Sequence, residues 1–72
     1  MALTHRKVVG QNVRKFRKQA RLTQEQLGEK ANLTYKYVGE VERGSVNVSL
    51  DSLMRIAKAL KVRIQDLLRG VE

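Results

Sequence analysis

Seventy-two residues with two Tyr, one Phe and no Trp describe a single domain whose core must be aliphatic and closely packed. With no cysteine, neither a disulfide framework nor a zinc site can be drawn, no apolar run approaches a membrane span, and the opening MALTHRKVVG lacks a signal-peptide pattern, so a cytoplasmic protein is expected. Fifteen Lys and Arg against seven Asp and Glu leave a charge of +8, which favours nucleic acid or acidic membranes without naming a function.

The first predicted helix runs from about Arg6 to Ala20. Val9, Val13, Phe16 and Ala20 recur at i, i+4, i+7 and i+11, an inward stripe. Residues 1–24 hold Arg6, Lys7, Arg14, Lys15, Arg17, Lys18 and Arg21 and no acid. On a helical wheel most of these cations fall within about 60–180° of Val9, a basic wall on one flank. Such a wall is a solvated face, a phosphate-contacting face or a peripheral membrane helix. The membrane reading is the weakest, because the apolar stripe is narrow, has no Trp and is needed for the core. His5 is alone and terminal, and no chemistry is assigned to it.

Leu22 to Gly44 reads as two short helices around a tight turn. Thr23 and Gln26 form an S/T-x-x-E/Q capping box, and Leu27 and Ala31 share one face. Asn32 is a residue type that tolerates a left-handed turn. Thr34 caps a second helix whose Val38 and Val41 face inward, and Gly44 stands at its C-terminal stop. This pattern is either a packing hairpin or a DNA-reading helix-turn-helix. The outward arc carries Tyr35, Lys36, Gly39, Glu40 and Arg43. Lys donates to guanine O6 and N7, Glu accepts from cytosine N4, and Tyr contacts sugar, phosphate or a thymine methyl. Gly39 costs a helix interior about 1 kcal/mol relative to Ala, and either close approach to a ligand or a tight contact with the neighbouring helix would explain it.

Ser45-Val46-Asn47-Val48 forms a loop. Ser49 caps a helix over 50–60, with Asp51 in its first turn and Leu50, Leu53, Ile56, Ala57 and Leu60 assigned to the core. Arg55, Lys58 and Lys61 read as solvated. After a turn at Val62-Arg63 a final short helix spans 64–69, before Gly70. Ile64, Leu67, Leu68 and Val71 are many apolar groups for a tail. Some would cover the core, and Val62, Ile64, Leu67 and Leu68 are assigned to the seam of a symmetric dimer; the alternative is that all of them close the monomer. An enzyme is hard to build from these residues: there is no Cys nucleophile, one terminal His, and Glu40 and Glu42 point to different sides of their helix. No metal, cofactor or small-molecule ligand is expected.

Leu22-Thr23-Gln24, Leu27, Lys30-Ala31 and Val41-Glu42-Arg43-Gly44 resemble the Cro/C1/Xre helix-turn-helix family. Tyr37 to Gly44, followed by Asn47-Val48-Ser49-Leu50, most closely resembles the small controller proteins of restriction–modification systems. The likeness extends over about residues 6–69. It implies an all-α, compact five-helix lambda-repressor-like domain over 1–72, with its helix-turn-helix at about 23–43, binding double-stranded operator DNA as a homodimer. It further implies that Gln24 touches the DNA backbone, that Thr34 and Arg43 meet phosphates, and that Tyr35, Lys36 and Glu40 occupy base-reading positions. Tyr37 matches a tyrosine that lies against DNA in the controllers, and Ser45 and Asn47 lie in the DNA-facing loop. An internal Arg17–Glu42 ion pair is implied too. Gly28 departs from the usual Ala and is expected to loosen the second helix; Val46 and Val48 replace common basic and Pro residues. The expectation is a dimeric, sequence-specific transcriptional regulator with no membrane partner. Its rival is a DNA-binding antitoxin or adaptor that chiefly holds a protein partner.

Overall fold

The structure, a computed structural model, describes residues 4–72; Met1 to Leu3, part of the expected domain 1–72, lie outside the described residues. Five helices follow one another, α1 (His5–Gln19), α2 (Gln24–Ala31), α3 (Tyr35–Arg43), α4 (Leu50–Leu60) and α5 (Ile64–Leu67), with no strand among the described residues. The fold is all-α, as expected. No helix of the described residues is long and apolar enough to cross a membrane.

Short side-chain oxygens set the starts. The hydroxyls of Thr4, Thr23, Thr34 and Ser49 accept from the amides of Lys7, Gln26, Tyr37 and Ser52, each such cap stabilising its helix by about 1 kcal/mol. The stops share one device as well. Arg21, Asn32, Gly44 and Lys61 all adopt the left-handed conformation, with φ of 60°, 58°, 72° and 59°. Beyond them the amides of Leu22, Leu33, Ser45 and Val62 reach back to the carbonyls of Arg17, Gly28, Glu40 and Ala57 at 2.8–3.1 Å. This is the Schellman closure, in which the residue after the left-handed one often lends an apolar contact. Leu22, Leu33 and Val62 do so, packing half-buried on the core.

The core comprises Val9, Val13, Leu27, Ala31, Val38, Val41, Leu53, Ile56, Ala57, Leu60 and Leu67. α1 and α2 pack on α3, α4 packs on α2, and α5 bridges α1 and α4. Two sequence assignments fail here. Ala20 ends α1 as its exposed C-cap, and Leu50 is 68% exposed. Leu50 sits in the first turn of α4 at the edge of the inward arc, where no neighbouring helix covers it. α5 is also shorter than the expected 64–69: it ends at Leu67 and the chain turns through Gly70 at φ 90°.

Two features of the packing escape a helical wheel. The Asn12 side-chain amide donates to the carbonyls of Leu67 (2.8 Å) and Arg69 (2.9 Å), tying the end of α5 to α1. Gly28, expected to loosen α2, instead permits its tight turn into α3. A Cβ there would lie 2.6 Å from the Leu33 carbonyl oxygen and 3.3 Å from the Tyr35 nitrogen.

Candidate nucleic-acid interface

α3 buries Val38 and Val41 and turns the opposite side outward. Tyr35 is 60% exposed, Lys36 and Arg43 are exposed, and Tyr37 and Glu40 are half-buried. Nine residues make a rod about 13 Å long, of a width that the major groove of B-DNA admits. Lys36 and Glu40 are one turn apart, yet neither is within ion-pair distance of an opposite charge among the described residues. A donor and an acceptor of opposite charge are therefore free for a ligand.

Gly39 belongs to the outward arc by angle but is buried. Gln24 from α2 and Arg43 from the last turn of α3 fold over it: a Cβ at 39 would meet Arg43 Nη1 at 3.1 Å and Gln24 Oε1 at 3.3 Å. The neighbouring-helix explanation for this glycine therefore describes the free protein. Its missing side chain is the space in which Gln24 and Arg43 lie side by side.

Beneath this surface one carboxylate joins three helices. Glu42 accepts from Arg17 Nε at 2.6 Å and Nη2 at 3.1 Å, and from Gln24 Nε2 at 3.1 Å. Arg17 Nη1 also donates to the Leu22 carbonyl at 2.8 Å. The Arg17 side chain is 12% exposed and that of Glu42 4%. Shielded from water, the pair sets the helical frame and holds Gln24. The second hydrogen on Gln24 Nε2 is left for an acceptor outside the protein.

The first turn of α2 has donors to spare. Its capping box takes the Gln26 amide (3.0 Å to Thr23 Oγ1), and Gln26 Oε1 accepts the Thr23 amide at 2.9 Å. The amides of Gln24 and Glu25 precede the first helical hydrogen bond and have no partner in the helix. They open at the positive end of the helix dipole, into a depression lined by Arg17, Thr23, Gln24, Glu25 and Tyr35. At the other end of the surface, Asn47 is exposed and its side chain makes no hydrogen bond among the described residues. Ser45 differs: its hydroxyl donates to the Glu40 carbonyl at 3.1 Å, beside its own amide at 3.0 Å. A phosphate could take that proton only by displacing it from the end of α3. Thr34 Oγ1 accepts from the Tyr37 amide at 3.1 Å, so its own proton stays free to donate.

The four residues assigned to a dimer seam do not share one environment. Leu67 is fully buried in its own monomer, beneath the end of α5, and has no surface to give a partner; that assignment is corrected. Val62 and Ile64 are half-buried on the core, and Leu68 is 39% exposed. Met54, 50% exposed on α4, is a large apolar side chain that periodicity does not mark, because it lies off the α4 core stripe.

These observations define a helix-turn-helix module whose second helix turns a polar face outward, with donors at both of its ends. A helix-turn-helix family model matches residues 13–67, and the chain belongs to that family, of the Cro/C1 type. The particular relatives agree. The chain is 42% identical over 64 residues to control protein C.BamHI of Bacillus amyloliquefaciens, covering 88% of this chain and 79% of that one. It is 45% identical over 56 residues to the immunity repressor protein of Bacillus phage phi105, covering 78% of this chain but 39% of that repressor's length. Among solved structures, the restriction–modification controller protein C.AhdI from Aeromonas hydrophila matches with a TM-score of 0.84 and 39% identity, over 86% of this chain and 94% of that one.

Proposed function

We propose that this chain is a sequence-specific transcriptional regulator that binds double-stranded DNA as a homodimer on a roughly palindromic operator in the cytoplasm. α3 enters the major groove with Tyr35, Lys36 and Glu40 toward base edges. Gln24, Thr34, Tyr37, Arg43, Ser45 and Asn47 meet the sugar–phosphate backbone and fix the register. The observation that carries this reading is the Lys36–Glu40 couple, without an ion-pair partner among the described residues, on an exposed helix face whose far side is the core. The likeness to C.BamHI and C.AhdI supports a controller of a restriction–modification system as the particular form. Leu68, with the exposed edges of Val62 and Ile64, supplies the apolar part of the dimer seam.

Selection of bound duplexes from a random pool at about 0.15 M salt, where non-specific electrostatic binding is already weakened, tests the proposal. It predicts an enriched palindrome. Binding without enrichment would refute specific readout and favour a protein-partner adaptor.

A further inference from the structure

The structure divides the basic wall of α1. Arg17 is spent on Glu42. Lys7, Gln11 and Arg14, at i, i+4 and i+7, line one concavity together with Arg43 and Glu42. The stem of Lys7 lies against the end of α3: a Cβ on Gly44 would be 2.8 Å from Lys7 Cγ and 2.9 Å from Lys7 Cα. Three cations thus gather around one hollow. Its single acid, Glu42, is 4% exposed and committed to Arg17 and Gln24. None of Lys7, Arg14 and Arg43 has an acidic partner within 4.0 Å among the described residues. Gathering like charges without a counter-charge is unfavourable in the free protein and becomes favourable when an anion sits across them.

We propose that Lys7, Gln11 and Arg14 form a phosphate rail along α1, continuous with Arg43, that grips the DNA backbone beyond the bases α3 reads. The inference rests on the DNA-binding reading above and adds to it residues outside the helix-turn-helix. Duplex phosphate is the anion that fits. Lys7 and Arg14 are two helical turns apart, about 10 Å, so their head groups reach different phosphates of one strand rather than crowding one. Gln11 supplies a neutral donor between them. Arg43, at the shared edge, joins the rail to the reading helix without a gap. A rail of this kind carries affinity and salt dependence and no base preference.

The test measures binding against salt for wild type, Lys7→Gln/Arg14→Gln, Arg14→Gln alone, and the control Arg55→Gln/Lys58→Gln. The control removes two charges from a depression lined by α2 and α4 residues with no part of α3. Each variant is titrated on the selected palindrome and on one random duplex, and its melting temperature confirms folding. Arg14→Gln is included because it leaves the packing of Lys7 on Gly44 intact. Each lost phosphate contact lowers the slope of log K against log salt by about 0.9. Four contacts in a dimer therefore predict a slope shallower by about 3–4 for the double variant and by about half that for Arg14→Gln. The control should shift by less than 1, and the preferred bases should not change. A double-variant slope within 1 of wild type, or equal to the control's, overturns the rail. A wild type that enriches no sequence overturns the operator reading instead, while the slopes on the random duplex still judge the rail.

Discussion

Arg17 and Glu42 offer the sharpest energetic test of the fold, because one shielded carboxylate joins α1, α2 and α3. At 12% and 4% side-chain exposure the pair has little solvent screening. Removing one partner from such a pair leaves an uncompensated charge and costs about 3–5 kcal/mol. A domain of 72 residues at about 0.05–0.15 kcal/mol per residue has only about 4–11 kcal/mol in total. Arg17→Met or Glu42→Leu alone should therefore remove a large share of the stability, lowering the melting temperature by about 12 °C or more. Replacing both removes the charges together and fills the space with apolar groups. The remaining losses are the hydrogen bonds to Gln24 Nε2 and the Leu22 carbonyl, about 1 kcal/mol each. The double variant should lie within about 2 kcal/mol of wild type, so with single costs of about 3–5 kcal/mol each the double-mutant cycle should give a coupling of at least about 4 kcal/mol. Urea unfolding of the four proteins provides the numbers. Single costs below about 1 kcal/mol, the range of an exposed pair, or a double variant equal to the sum of the singles, would refute the account of a shielded, frame-setting ion pair.

Other perturbations separate reading from packing. Lys36→Ala should cost about 1–3 kcal/mol on the preferred operator and relax one base position; an equal loss on every duplex would make Lys36 a phosphate contact. Glu40→Gln should weaken a cytosine preference, and a preference that survives unchanged removes Glu40 from the base-reading set. Leu67→Ala should cost about 2–5 kcal/mol of unfolding free energy within the monomer, whereas Leu68→Asp should shift sedimentation toward monomer and lower stability only by what dimer assembly lends; the reverse pattern would mean that α5 is turned the other way. Asn12→Asp keeps the size of the side chain but removes its donor, so it should destabilise at least as much as Asn12→Ala, and a neutral Asp variant would show that its two donations do not hold the C-terminal segment.

Where local chemistry decides the structure, the residues could be read directly. Thr23 with Gln26, Thr34, Ser49, Asn32 and Gly44 announce their caps and stops because each acts through the backbone of its own turn. The inward positions Val38 and Val41 follow from the period alone. Long-range contacts left no such mark. Asn12 reaches carbonyls 55 and 57 residues away, and nothing in its neighbourhood marks a polar residue as an anchor. Lys61 and Arg21 take left-handed conformations that their side chains do not favour, imposed by the packing of Val62 and Leu22 after them. Gly39 lies on the outward arc, yet the arms of Gln24 and Arg43 cover it, which a single-helix wheel cannot show. The resemblance identified Arg17 with Glu42; periodicity would have left Arg17 among its basic neighbours. Leu67 and Leu68 are adjacent and equally apolar, and only the direction of α5 tells which one is core.

In the proposed complex two copies of α3 read DNA about a two-fold axis. Inserting 5 base pairs between the half-sites of the selected operator turns one by about half a helical turn relative to the other. Titrating purified protein on the original and the lengthened duplex at the same salt measures the consequence directly. Two-fold readout predicts that the lengthened duplex, on which only one half-site can be engaged at a time, binds far more weakly than the original. Equal affinity for both duplexes would contradict the account and leave each monomer acting alone.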